Sequence, residues 1–360
     1  MKQRFLFILT LFFSGSVLAQ TPVQVLSNLL SREKDFNGVV LYAENGKTKF
    51  LKPFGYRNYN TAQPLKTTDI FELASLSKQF TSMIIMMLQE EGKLQYNDPV
   101  EKYLVIPYRG ITIRHLLTHT SGLPDYQEIM DTLWDKQKVA GNKDILEYLN
   151  QYAPPKVFEP GTKYEYSNTG YVLLASIAEK ASGKDFIDLC RSRIFSPLNM
   201  HSTDIRTLEK KASTVNFALG HIYVKESERY VRADSFPSSD YTIWLGNRKG
   251  PGRISSTAED LLKWDQALYS AKLVKVETLD LAFTPGTLND GSSTNYGFGW
   301  MIQTNLKREK VIWHSGDNPG YKTRIMRYPA SKQTLIVLCN NAYPEFESMM
   351  NKLEKAIADF

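Results

Sequence analysis

Ser75-Leu76-Ser77-Lys78 places a hydroxyl and an amine three residues apart, where an apolar-periodic helix begins (Phe80, Met83, Ile84, Met87, Leu88). Residues three apart share a helix face, so Ser75 Oγ and the Lys78 amine are expected side by side. Serine alone is a weak nucleophile and needs a neighbour to take its proton. A serine in a first helical turn also offers its backbone N–H to a developing oxyanion, with the helix dipole behind it. The chemistry implied is acyl transfer through a covalent serine ester. The same spacing arises where a serine caps a helix beside a solvated lysine. Two further motifs, following in order, shift the weight toward chemistry.

Tyr166-Ser167-Asn168 follows the turn Pro160-Gly161 and precedes an apolar helix, Tyr171 to Ala181, closed by Gly183. Tyr166 offers a phenol for proton transfer and Asn168 an amide able to hold a substrate carbonyl. The bland alternative is a core tyrosine and a capping asparagine. His314-Ser315-Gly316 sits between apolar runs, Lys310 to Trp313 and Leu335 to Cys339, that read as strands. A glycine late in a strand often marks close approach of a ligand to the backbone.

With all three motifs in this order, the chain resembles the serine β-lactamases of class C type, the penicillin-binding DD-peptidases and related esterases. Arg114-His115-Leu116-Leu117-Thr118-His119-Thr120-Ser121-Gly122-Leu123-Pro124, Ser255 to Leu261 and Tyr296-Gly297-Phe298-Gly299-Trp300 are similar to further family segments. The likeness runs from about residue 30 to the C-terminus. It implies Ser75 as the acyl-accepting nucleophile, Lys78 and Tyr166 as the proton-transfer pair, and Asn168 as a substrate contact. His314 and Gly316 would lie on the strand edging the pocket, and the backbone N–H groups of Ser75 and Asp317 would form the oxyanion hole. Free lysine and tyrosine titrate near ~10.4 and ~10, so either must be tuned to act as a base; the residues alone leave the choice open.

His314 stands where the lactamase version carries lysine. Lysine is a permanent cation suited to a carboxylate, whereas free imidazole near ~6.5 is mostly neutral at pH 7. That departure favours esters or D-amino-acid-containing peptides over penicillin hydrolysis, with an acidic limb in the rate expected to report His314. β-Lactamase or penicillin-sensitive DD-carboxypeptidase action is the second reading. A non-catalytic sensor or scaffold is the third, and the joint presence of Ser75, Lys78, Tyr166 and Asn168 counts against it.

These residues need a frame. Residues 22–36 read as an amphipathic helix, and Gly38–Ala43 with Lys47–Phe54 as a hairpin around Glu44-Asn45-Gly46. Strand-like runs return at 296–303, 309–315, 321–328 and 333–340, before a helix from about 344 to 358. The expected fold is α/β in the α+β sense: one antiparallel sheet flanked by helices, from about 20–75 plus 250–360, with a mainly helical lobe, about 76–250, inserted. Ser75 then lies at the lobe boundary, where clefts form. The stretch 123–160 and the loop 221–250 are expected to shape that cleft.

Composition fits a secreted globular enzyme of 360 residues, 42% hydrophobic. Lys2 and Arg4, the apolar run Phe5 to Phe13 and the small-residue end Val17-Leu18-Ala19 read as a secretory leader, residues 1–19, cleaved after Ala19. Residues 20–360 are then a single periplasmic or secreted domain with no stable membrane span. Loss of Lys2 and Arg4 takes the formal charge from +6 to +4, with the remaining basic residues scattered, so nucleic acid is not an expected partner. No cofactor is called for. His115 and His119 have a zinc-like spacing, but no glutamate follows His115 and no third ligand stands nearby, so no metal is expected. Cys190 and Cys339, each in an apolar setting, are expected as buried thiols, with a disulfide as the alternative. The substrate is expected to be a small-molecule ester, peptide or β-lactam; the oligomeric state is not legible.

Overall fold

The computed structural model describes residues 21–236, 239–305 and 307–358; the leader read at 1–19 lies outside the described residues. The fold is mixed α/β. Its main sheet has six antiparallel strands: β1 (Gly38–Glu44), β2 (Lys47–Phe54), β3 (Met301–Thr304), β4 (Lys310–Asn318), β5 (Tyr321–Tyr328) and β6 (Gln333–Cys339). Their spatial order is β3-β4-β5-β6-β1-β2. The N-terminal hairpin thus docks on the C-terminal meander through β1 and β6, with Val40 opposite Val337. Every residue of β6 and all but the last of β1 are buried, as expected for strands at the centre of a covered sheet.

Two units are distinguished along the chain: residues Asp35 to Glu347, and the remainder up to Lys34 and from Ser348 on. In the smaller, helix Pro22–Leu30 starts on a Thr21 and Gln24 capping box with Pro22 in its first turn. It ends six residues before the pattern suggested. Lys352 Nζ meets Glu33 Oε1 at 2.7 Å. The other unit holds the sheet and the helices that place the motifs: α1 (Ser77–Glu90), α2 (Asn168–Ser182) and α3 (Ala258–Ala267). α1 is buried from Ser77 to Leu88 and packs on α2, while α3 packs on β1 and β6.

Three departures from the sequence pattern have local causes. Tyr296–Trp300 is not strand: a Cβ at Gly297 would strike the Ala282 carbonyl, and one at Gly299, whose φ is +81°, would come within 2.9 Å of the Lys78 carbonyl oxygen. β4 runs on to Asn318, so it carries Asp317. Short strands also appear before the end of the chain, at Asp204–Ile205, His221–Val224, Arg229–Arg232 and Ile254–Ser256. At two to four residues they are too short to show a period of two. The stretch read as a loop, 221–250, therefore contains a hairpin. Cys190 and Cys339 are buried free thiols. No helix among the described residues is long and apolar enough to cross a membrane.

Candidate active site

Ser75 sits in a single 3₁₀ turn, Ala74–Leu76, immediately before α1, rather than in the first turn of the α-helix itself. Ala74 adopts φ 49°, the left-handed region that non-glycine residues seldom enter. Holding it there costs of order 1 kcal/mol, and the neighbours supply the restraint. Leu73 N–H donates to the Ile254 carbonyl (2.9 Å), and the Leu73 carbonyl accepts from Leu76 N (3.2 Å) and Thr323 Oγ1 (2.8 Å).

Lys78 is fully buried. Its Nζ lies 3.0 Å from Ser75 Oγ, 2.8 Å from Asn168 Oδ1 and 3.0 Å from the Pro251 carbonyl. Burial holds its pKa well below the usual lysine range, the Arg248 charge lowers it further, and Asp125 opposes the shift. That shift favours the neutral amine, a form with two N–H donors and one lone pair. Asn168 Oδ1 and the Pro251 carbonyl can only accept; of the three partners only the Ser75 hydroxyl can donate. In that form the lone pair would be left for Ser75.

Tyr166 leads into α2, with Ser167 as its N-cap and Asn168 as its first residue. The Tyr166 ring lies 4.7 Å from Lys78 Nζ and 4.2 Å from the His119 ring centroid. Although 40% of the residue is exposed, protein crowds the hydroxyl end. That burial raises the phenol's pKa far above its ordinary value, against a lowering from its hydrogen bond with Ser75. Tyr166 is accordingly a proton-bearing phenol at neutral pH.

His119 brackets Tyr166. Its carbonyl accepts from Glu165 N (2.9 Å) and its Nδ1 from Ser167 N (3.1 Å). An accepting Nδ1 puts the proton of a neutral ring on Nε2, which is buried without a polar partner among the described residues. Burial, then the charges that Lys78 and His314 carry when protonated, push its pKa well down. His115 accepts from Thr112 N within its own helix start (3.2 Å). Among the described residues no three His, Cys, Asp or Glu side chains converge as a metal site.

His314 lies on β4, buried, with its ring 6.1 Å from that of Tyr166. Nδ1 is 2.6 Å from the Ser315 carbonyl, which only accepts, so Nδ1 carries the proton and Nε2 accepts from Tyr296 Oη at 2.8 Å. Burial, and next the charge that Lys78 carries when protonated, push its pKa down to about 3. The acidic limb expected from free histidine is therefore corrected: His314 does not titrate near pH 6. At Gly316 a Cβ would strike the Leu73 carbonyl and Thr323 Oγ1, so β4 packs directly against the Ser75 turn. Asn318 and Tyr321 close a two-residue turn, so Gly316 and His314 spend their ladder bonds on β5 while Ser315 and Asp317 point theirs the other way. β3 ends opposite Trp313, leaving that edge of Asp317 uncovered by β3. The Asp317 side chain instead pairs with Lys322 at 3.1 Å.

The beta-lactamase family model matches residues 26–359. The chain belongs to the beta-lactamase family. Penicillin-binding protein 4* of Bacillus subtilis (strain 168) is 42% identical over 320 residues, covering 88% of this chain and 71% of that protein. The crystal structure of a penicillin binding protein from Bacillus halodurans superposes with TM-score 0.79 at 26% identity, covering 93% and 98% of the two chains. D-amino acid amidase from Ochrobactrum anthropi SV3 superposes with TM-score 0.72, covering 93% of this chain and 98% of its own; at 23% identity it shows the shared fold alone. As a family member the chain is a β-lactamase-fold serine hydrolase.

Four groups of this site were not singled out from the sequence: the Pro251 carbonyl, Arg248, His119 as a clamp on Tyr166, and Tyr296 as the partner of His314. The first two lie in Arg248-Lys249-Gly250-Pro251-Gly252, which announces a turn but not its destination. A Cβ at Gly250 would strike the Tyr171 carbonyl; this close packing on α2 brings the loop to Lys78. His119 and Tyr296 lie inside the family-like segments, so they were marked without being given a role.

Proposed function

We propose that Ser75 is the nucleophile of an acyl-transfer reaction and that neutral Lys78 is its base. The observation that carries this reading is the set of three Lys78 contacts, which leaves its lone pair no acidic hydrogen to meet except that of Ser75. The Ser75 proton passes to Nζ as Oγ bonds to the substrate carbonyl carbon and the C=O pair moves onto oxygen. The N–H groups of Ser75 and Asp317 receive that oxyanion; one such donor is typically worth a factor of ~100–1000 in turnover. Collapse breaks the bond to the leaving alcohol or amine, which takes its proton from Lys78 or the Tyr166 phenol. Water then releases the acyl group through the same groups in reverse. With Oδ1 taken by Lys78, the Asn168 amide N–H is left to hold a substrate carbonyl.

Neutral His314 supplies no cation, which favours an ester or a D-amino-acid-containing peptide amide as substrate. The 42% identity to a penicillin-binding protein favours a second substrate reading, acylation by β-lactams at the same serine. Export by the leader, residues 1–19, would place the enzyme in the periplasm or outside the cell. Brief exposure to benzylpenicillin followed by intact-protein mass, with Ser75→Ala as control, tests the site. An adduct confined to the wild type supports both Ser75 and the β-lactam reading. Without an adduct, drug consumption indicates fast deacylation; an untouched drug directs the search to esters and peptides. An adduct that survives in Ser75→Ala contradicts the proposed nucleophile.

A further inference from the structure

A buried charge is costly unless matched, and the usual match for arginine is a carboxylate. Arg253 and Arg327 follow that rule, pairing with Glu72 (3.2 Å) and Asp265 (2.5 Å). Arg206 pairs with no carboxylate among the described residues but donates to oxygens of Ser255 and Ser202. Arg248 differs from all three. It is 7% exposed and forms no ion pair among the described residues; its one hydrogen bond runs from Nη1 to the Tyr126 hydroxyl (2.5 Å), and Nε has no partner. Asp125 acts on it only from beyond ion-pair distance.

The position of this unspent guanidinium is informative. A methyl group on Gly252 would touch both Arg248 Nη2, at 3.5 Å, and the Ala74 carbonyl oxygen, at 3.9 Å. Arg248 is thus separated from the residue before Ser75 by the width of one absent side chain. Gly252 is not in the left-handed backbone region, so its lack of a side chain leaves room rather than relieving strain. The other basic groups near Ser75 are spoken for. Lys78 is engaged by Ser75, Asn168 and the Pro251 carbonyl, His314 is neutral, and Lys322 and Arg324 pair with Asp317 and Glu347.

We propose that Arg248 is the carboxylate-recognising residue of this site, so that preferred substrates carry a carboxylate able to reach past Gly252 while their carbonyl stands at Ser75. The planar fork suits two parallel N–H···O bonds to one carboxylate, and the partly closed setting strengthens them. The role that the third-motif lysine would fill is taken from a different loop. This inference rests on Ser75 as the nucleophile.

The test compares kcat/KM for two matched esters, mono-p-nitrophenyl glutarate and its methyl ester, which differ only in the free carboxylate. The wild type is expected to favour the acid by about tenfold or more. Arg248→Gln, which keeps a donor for Tyr126, should bring the ratio close to one; Arg248→Lys, a point charge without the fork, should retain part of it. Gly252→Phe is the second route, since it covers the guanidinium while leaving its bond to Tyr126 in place; the ratio should again collapse. Intact mass after a fluorophosphonate reports Ser75 separately in each variant. A Ser75 adduct with a ratio unchanged in folded Arg248→Gln or Gly252→Phe overturns the role of Arg248 alone. No adduct in the wild type overturns the nucleophile and this inference together.

Discussion

The Tyr296 hydroxyl donates to His314 Nε2 across 2.8 Å, and this bond sets what His314 can do. Both ring nitrogens are committed, one to a tyrosine proton and one to the Ser315 carbonyl. A buried ring so arranged is a fixed neutral wall of the pocket. Tyr296→Phe removes the donor and leaves a buried acceptor unpaired, a loss of about 1–3 kcal/mol. Denaturant unfolding should show that loss; an unchanged midpoint would count against the bond.

Acid stability carries the same signature. The folded protein keeps His314 neutral down to about pH 3, whereas an unperturbed histidine protonates near 6.5. Between these values the unfolded chain binds more protons, so stability is fully present above pH 6.5 and falls as the pH drops toward 3. His119, also lowered, acts in the same direction. Thermal unfolding temperature should decline from pH 7 to pH 4.5, and less steeply in His314→Gln. For turnover, His314→Gln should leave the shape of the pH profile between 5 and 7 as it was; a wild-type limb near pH 6 that vanishes in the variant would refute the neutral assignment.

Gly316→Ala is expected to be far more harmful to activity than one methyl group suggests. Its Cβ meets the Leu73 carbonyl and Thr323 Oγ1, the pair that restrains the Ser75 turn. Displacing that turn by even ~1 Å can cost on the order of a hundredfold in rate. Fluorophosphonate labelling of Ser75 should slow by about that factor; labelling at the wild-type rate would show that the turn does not depend on this contact.

His119 should matter through Tyr166. Asparagine keeps an acceptor near the position of Nδ1 for Ser167 N–H, and leucine does not. His119→Leu should lower kcat by about tenfold or more, with His119→Asn recovering part of it and KM moving little in either. Equal losses in the two variants would assign His119 to packing alone.

Much of this was legible in the chain because local pattern and global arrangement agree. The hairpin around Asn45-Gly46 and the strands at 321–328 and 333–340 alternate or run apolar as the sheet requires, and the Ser75 to Lys78 spacing becomes a 3.0 Å contact. What the chain hid depends on distant backbone. Lys78 meets the Pro251 carbonyl 173 positions away, and no periodicity forecasts a carbonyl. The pKa of His314 was misread for the same reason: burial sets it, and burial belongs to the assembled site. The 3₁₀ turn at Ser75 follows from Ala74 at positive φ, which alanine does not advertise.

The central claim is that neutral Lys78, and not the Tyr166 phenol, takes the Ser75 proton. The pH dependence of Ser75 acylation by a fluorophosphonate tests it most directly, because the rate follows the deprotonated base. Lys78 lies well below the ordinary lysine value of 10.5 and Tyr166 above the ordinary tyrosine value of 10.0. The account predicts a rate that reaches its plateau below the ordinary lysine range and falls at every pH in Lys78→Met. A rate that keeps climbing tenfold per unit through pH 10, or a plateau that survives Lys78→Met, would contradict it.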